Sequence, residues 1–312
     1  MTPAPFHNDL AEGPSGGAAY WVTAADGVRL RIGGWGAGAP KGTILLFPGR
    51  TEYIEKYGRN AQDFLGHGYA TLAIDWRGQG LSDRLLEDRQ KGHVGSFTDY
   101  QHDVAALIEH AEEMGFSAPY YLIAHSMGGC IGFRSLCQGL PVKAAAFSGP
   151  MWGIRMPTGV NTIAPIITGF FRSIGLDNSY IFTANSENYV QNVSFSENLL
   201  TTDEEMFAYM RNQIALQPPL GLGGPTFRWL GEALREIRYL HETKAPDIPC
   251  RCYLGTSEKI VDDKAMHRRM NTWPGGELIE VSLAEHEVLM EGPEIRHRLA
   301  EEICDFFGKH SR

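Results

Sequence analysis

Four segments of this chain, residues 43–47, 70–75, 120–124 and 143–147, are apolar at nearly every position, and helical patterns fall between them. Strands that are apolar on both faces must be covered on both faces, which points to a parallel sheet between two layers of helices. The intervening segments fit. Residues 55–65 and 128–137 read as helices, and residues 99–114 carry an apolar stripe at Val104, Leu107, Ile108 and Ala111. Ahead of them, two β-like runs between Tyr20 and Trp35 flank Asp26-Gly27, a dipeptide suited to a tight hairpin. After Gly149-Pro150 the rhythm breaks, and residues 151–244 hold mainly helical or irregular segments. It resumes with a strand at 251–254, a helix at 262–270, a strand at 278–283 and a last helix at 293–307, opened by Pro293. The expectation is an α/β fold with a mostly parallel central sheet and helices on both faces. Residues 1–150 and 245–312 would form one core, and residues 151–244 a helical cap inserted into it.

Charge narrows the partners. Among 312 residues, 28 Lys and Arg face 37 Asp and Glu, a net charge of −9. That balance argues against a nucleic-acid surface. No apolar run reaches the ~18 residues of a membrane span. The first residues lack both the basic start and the apolar core of a secretory signal, so a cytoplasmic protein is expected. The five cysteines match neither a zinc ribbon nor a redox pair, and a reduced chain is expected. Cys130 and Cys137 should share a helix face, whereas Cys250 and Cys252 are expected on opposite faces of a strand.

The chemistry concentrates in Leu122-Ile-Ala-His-Ser-Met-Gly-Gly129, which ends a strand and opens a helix. A serine on such a turn is lifted above the sheet as an exposed nucleophile, provided its neighbours are small, as Ala124 and Gly128 are. Ser126 then needs a base. His125 should leave the turn in another direction, and His267 and His297 fall inside amphipathic helices. His286 lies in the loop after the strand at 278–283, on the sheet edge where ligand sites form. The base needs a carboxylate to fix its tautomer. Residues 254–263 offer Glu258, Asp262 and Asp263; Glu258 is the preferred acid, because Asp262 can instead cap the following helix. Two backbone N–H groups should face the developing oxyanion, that of Met127 and, from the loop after the first central strand, that of Arg50.

These motifs together resemble the α/β-hydrolases of the lysophospholipase and monoacylglycerol lipase branch. Pro48-Gly49-Arg50-Thr51-Glu52 with Lys56-Tyr57 is similar to that branch's His-Gly-x-x-Glu…Arg-Tyr loop. Asp75-Trp-Arg-Gly-Gln-Gly-Leu-Ser-Asp83 resembles its Asp-x-Arg-Gly-x-Gly-x-Ser loop, and His125-Ser-Met-Gly-Gly129 and His286-Glu-Val-Leu289 are typical of it. Leu222-Gly-Gly-Pro-Thr-Phe-Arg-Trp229 looks like the cap of bacterial lysophospholipases. Pro48 in place of His, Ala124 in place of the first Gly, and a Glu rather than an Asp as acid are departures. The order Ser126, Glu258, His286 is that of the α/β-hydrolase triad.

The resemblance implies a serine esterase, with no metal or organic cofactor, that cleaves a single-chain lipid such as a lysophospholipid or a monoacylglycerol. Residues alone suggest an apolar acyl pocket under the cap, lined by segments such as 163–171. Transient contact of the cap with a membrane surface fits such a substrate. Two other readings stand beside it. An aminopeptidase on the same fold would need acidic cap groups for the substrate's ammonium, drawn from Glu187, Glu197 and residues 203–205. A catalytically silent hydrolase fold would serve as a binding module. Ser126 in the nucleophile position argues against epoxide hydrolases and dehalogenases, which carry Asp there.

Overall fold

The structure, a computed structural model, describes residues 1–157 and 159–311. The described residues form nine strands, β1 (Thr2–Ala4), β2 (Ala18–Thr23), β3 (Arg29–Trp35), β4 (Thr43–Phe47), β5 (Ala70–Asp75), β6 (Tyr120–His125), β7 (Val142–Ser148), β8 (Cys250–Gly255) and β9 (Glu277–Val281). They form one sheet in the order β1-β2-β3-β5-β4-β6-β7-β8-β9. From β5 to β9 every neighbouring pair is parallel, while β1, β2 and β3 add an antiparallel edge. The hairpin joining β2 to β3 turns at Gly27, whose φ of 89° is the left-handed conformation that glycine adopts without strain.

The helices are α1 (Asn8–Ala11), α2 (Gly58–Gly66), α3 (Tyr100–Ala111), α4 (Met127–Cys137), α5 (Val160–Ser173), α6 (Tyr189–Asn192), α7 (Glu204–Leu216), α8 (Phe227–Glu242), α9 (Asp263–Met270) and α10 (Pro293–Lys309). Residues of the central strands alternate between two apolar layers, as the two-residue period of a strand requires. Ile44, Leu46, Tyr121 and Ile123 pack beneath α2, α7 and α10. Leu45, Phe47, Leu122 and Ala124 pack beneath α3, α4 and α8. Truncating one such fully buried Leu or Ile to Ala costs about 2 to 5 kcal/mol.

Between β7 and β8 the described residues form helices α5 to α8 and no strand. Helix α5 runs through Pro165, although proline removes a backbone donor there. Two expectations are corrected. Cys250 and Cys252 lie in the same layer, with Leu254, while Tyr253 between them faces the other; positions two apart in a strand share a face. The last strand stops at Val281, and Leu283 beyond it has a φ of 64° and is exposed. All five cysteines are free.

Candidate active site

Ser126 stands between the end of β6 and the start of α4, with φ 49° and ψ −116°, a conformation strained for any residue with a Cβ. The turn is held by the Ser126 N–H donating to the Ser148 carbonyl at 3.1 Å. Close packing explains its small neighbours. A Cβ on Gly128 would lie 2.1 Å from the Phe47 carbonyl oxygen, so only glycine fits. Ala124 is tolerated because Gly132 faces it, where an added Cβ would come within 3.2 Å of the Ala124 methyl.

His286 sits in the loop after β9. Its Nε2 is 2.9 Å from Ser126 Oγ, and its Nδ1 is 2.6 Å from Glu258 Oε2. Because an ionised carboxylate only accepts, Nδ1 carries the proton and Nε2 is free to accept from the serine hydroxyl. Glu258, in the loop after β8, also accepts from the Ile260 and Val261 N–H groups at 2.6 and 3.1 Å. Burial pushes its carboxyl up, but the His286 hydrogen bond and charge and the two backbone donors outweigh burial and hold it below the usual carboxylate range. Asp262 lies elsewhere. It caps α9 by accepting from the Lys264 N–H at 3.0 Å and faces Arg268.

The loop after β4 supplies the other wall. Among the described residues neither the Arg50 N–H nor the Met127 N–H has an intramolecular acceptor, and Met127 opens α4, whose dipole favours negative charge there. Three contacts shape that loop. The Thr51 N–H donates to Gln79 Oε1 at 2.6 Å, and the Glu52 carboxylate accepts from the Gly49 N–H and from the Tyr57 hydroxyl at 2.6 Å.

Behind the site lies a buried charge cluster that the sequence reading left without a role. Lys56 Nζ is 2.7 Å from both Glu52 and Glu287. Glu52, His125 and Glu287 could offer ligand atoms to a metal, but the lysine ammonium already occupies the cation's place between the two carboxylates. Burial pushes Glu52 up, yet Lys56 and His125 hold it down, to about 2. His125 leaves the turn away from Ser126: its Nδ1 donates to the Ser148 carbonyl at 2.8 Å. Burial pushes its pKa down to about 4, so the ring is neutral. The hints in the sequence were the four-residue spacing of Glu52 and Lys56 in the loop before α2, and Glu287 directly after the histidine.

Above Ser126 opens a cavity of about 670 Å³. Met151, Ile167, Ile181, Phe182, Met210, Phe227 and Trp229 are among its walls. Of the segment expected to line it, Ala164, Ile167 and Thr168 do, while Ile163, Ile166 and Phe170 of the same helix point to solvent. Among the described residues, none of Glu187, Glu197, Asp203, Glu204 and Glu205 lines the cavity. Among the described residues no helix is long and apolar enough to cross a membrane.

Comparisons with known proteins identify the family and the fold. The sequence pattern of the family described as serine aminopeptidase, S33, matches residues 38–293. Lysophospholipase L2 of Escherichia coli K12 is 30% identical over 300 residues, covering 93% of this chain and 87% of that protein. A probable lysophospholipase L2 of Haemophilus influenzae is 30% identical over 270 residues, 86% of this chain and 84% of its own. In fold, the chain resembles a soluble variant of monoglyceride lipase from Saccharomyces cerevisiae in complex with a substrate analogue, with a TM-score of 0.73 and 21% identity over 98% of this chain and all of that one.

Proposed function

The chain belongs to the serine aminopeptidase S33 family and is an α/β-hydrolase of the lysophospholipase and monoacylglycerol lipase kind, and from this we propose that it hydrolyses the carboxylic ester of a single-chain lipid. The observation that carries the reading is the unbroken relay from Ser126 Oγ through His286 to Glu258, opening into an apolar cavity. Ser126 attacks the ester carbonyl while His286 Nε2 takes its proton, and Glu258 steadies the imidazolium. The Arg50 and Met127 amides receive the oxyanion of the tetrahedral intermediate. His286 then returns the proton to the departing alcohol, leaving an acyl-serine. Water, deprotonated by His286, attacks the acyl carbon, and the proton goes back to Ser126 as the fatty acid leaves.

The cavity walls favour an acyl chain over a peptide. An N-terminal ammonium needs an unengaged carboxylate, and the two glutamates on the cavity wall, Glu52 and Glu287, already share Lys56. The cap offers Ile163, Ile166, Phe170 and Phe182 to solvent, at 52 to 77% exposure, which suits brief contact with a lipid surface. The free cysteines suit the cytoplasm. The test is a fluorophosphonate label and a panel of esters and aminoacyl amides. Labelling at Ser126 that vanishes in Ser126→Ala, with turnover rising from two-carbon to twelve-carbon esters, is the expected result. Each buried CH₂ contributes about 0.8 kcal/mol to binding. No labelling, or faster cleavage of aminoacyl amides than of any ester, refutes it.

A further inference from the structure

One motif of the sequence takes no part in the relay: the loop after β5, Asp75-Trp-Arg-Gly-Gln-Gly-Leu-Ser-Asp83. It grips the loop after β4 at three points. The Asp75 carboxylate accepts from the Ile54 N–H at 2.9 Å, Trp76 Nε1 donates to the Pro48 carbonyl at 2.9 Å, and Gln79 Oε1 accepts from the Thr51 N–H at 2.6 Å. The last two bracket Arg50. Gln79 is 2% exposed and does not line the cavity. Its flanking residues Gly78 and Gly80 have φ values of 78° and 49°, and a Cβ on Gly80 would fall 2.2 Å from the Asp75 carboxylate. A turn of this shape, which glycine adopts without strain, aims the Gln79 side chain at the oxyanion loop.

The Arg50 N–H belongs to a peptide whose direction is set by the peptides on either side of it. On one side the Gly49 N–H donates to the Glu52 carboxylate, and on the other the Thr51 N–H donates to Gln79. Of these three consecutive donors, only that of Arg50 is left without an acceptor among the described residues. Thr51 has a φ of 68°, a left-handed conformation that is unfavourable for a β-branched residue, so the turn has to be held from outside. The other end of the same side-chain amide, Gln79 Nε2, lies 3.6 Å from Sδ of Met127, whose N–H is the second oxyanion donor. Because Thr51 presents a donor, the glutamine oxygen must face it, and the nitrogen faces the sulfur. One buried side chain therefore touches both segments that carry the oxyanion donors.

We infer that Gln79 is a positioning residue for the oxyanion hole, holding the Arg50 amide in the direction that the tetrahedral intermediate needs. This rests on the esterase reading above, in which Arg50 and Met127 supply the donors. Preorganised N–H groups stabilise a transition state because nothing has to reorient at the moment of reaction. Without the Gln79 oxygen, the Thr51 N–H would turn toward another acceptor and take the Arg50 peptide with it. The bound substrate, held by the apolar walls, would be little affected, so the loss falls on the transition state.

The test is Gln79→Met, which keeps the length of the side chain and removes the acceptor. With a short soluble ester, kcat should fall about ten- to a hundred-fold while KM stays within about three-fold of wild type, a milder loss than that of a deleted oxyanion donor. Two ligands separate positioning from general damage. Dodecyl trifluoromethyl ketone forms an adduct: Ser126 Oγ bonds to its carbonyl carbon, His286 takes the serine proton, and the carbonyl electron pair becomes an oxyanion in the hole. Dodecanol only fills the pocket. The variant should bind the ketone at least about ten-fold more weakly, and dodecanol as well as wild type does. An unchanged kcat, or equal losses for the two ligands, overturns the inference. If the variant does not fold, hydrogen exchange in wild type decides. The Thr51 amide should be protected in the free enzyme, and the Arg50 amide only in the ketone adduct. A Thr51 amide that exchanges as fast as that of Arg50 in the free enzyme, or an Arg50 amide still unprotected in the adduct, refutes it. Should wild type cleave aminoacyl amides rather than esters, the esterase reading fails, and the same kcat comparison on those amides decides the role of Gln79.

Discussion

Lys56 Nζ lies 2.7 Å from the carboxylate of Glu287, the residue directly after the histidine that meets Ser126. Because Glu287 is fixed from beneath by Lys56 and by its own N–H to the Leu200 carbonyl at 2.8 Å, the ion pair anchors the His286 loop to the oxyanion side of the site. Lys56→Met would leave two carboxylates buried with no counter-charge. Removing one partner of a buried pair costs about 3 to 5 kcal/mol, and we expect a loss of that size in urea denaturation. The accompanying fall in kcat should be partly restored by adding Glu287→Gln, which removes one stranded charge. No rescue would mean the loop is held by its backbone alone.

The same cluster sets a pH signature. Glu52 titrates near 2 in the fold, below the ordinary glutamate value of about 4.3. A lowered folded pKa means that ionised Glu52 stabilises the protein fully above about 4.3, and that this contribution fades as pH falls toward 2. Glu52→Gln should therefore be less stable than wild type at pH 7. The difference in Tm should narrow as pH is lowered through that window. A gap that stays constant to pH 2 would show that the carboxyl is not ionised in the fold.

Glu258 and Asp262 are separable by kinetics and melting together. Replacing the triad acid of a serine protease by its amide lowers kcat by about 10⁴, and a comparable loss is expected for Glu258→Gln with a normal fold. Asp262→Ala removes a helix cap, which costs about 1 kcal/mol. It should melt earlier while kcat stays near wild type. The reverse pattern would move the acid to Asp262.

Gly128→Ala should not give a working enzyme, because the new Cβ would meet the Phe47 backbone oxygen at 2.1 Å, where nothing flexible can yield. Ala124→Gly, which restores the small residue more usual at that position, should keep kcat within a few-fold. The pair is checked by turnover of a short soluble ester. Equal activity in both variants would contradict the packing account of the turn.

Legibility in the sequence followed burial. The strands β4 to β7 were readable because they are mostly apolar on both faces; β4 and β5 end where the apolar runs end, β6 runs one residue further, and β7 extends one residue beyond its run at each end. The three-residue β1 was not, since Thr2–Ala4 is short, exposed on two of three positions and held only by pairing with β2. Ser126 could be found because its turn demands small residues at set spacings, and His286 because its loop must open at the same sheet edge. Glu258 and Asp262 could be ranked but not separated, as both follow β8 and only three-dimensional geometry shows which reaches His286. Lys56, Glu52 and Glu287 could be noted by their spacing but not joined into one buried cluster, for a different reason. Charged residues imply solvent by default, and their burial depends on a pairing between two loops that are remote in sequence.

Ser126 and His286, 160 residues apart, touch only when the loops after β6 and β9 are brought side by side. Such long-range contacts form late, since the chain between them must close before they gain anything. A nascent or partly folded chain would carry every reacting group and yet have no relay, so esterase activity should appear only with the last strand in place. Recovery of turnover during refolding is thus a direct clock for completion of the sheet, and a chain cut before β8 is a silent one.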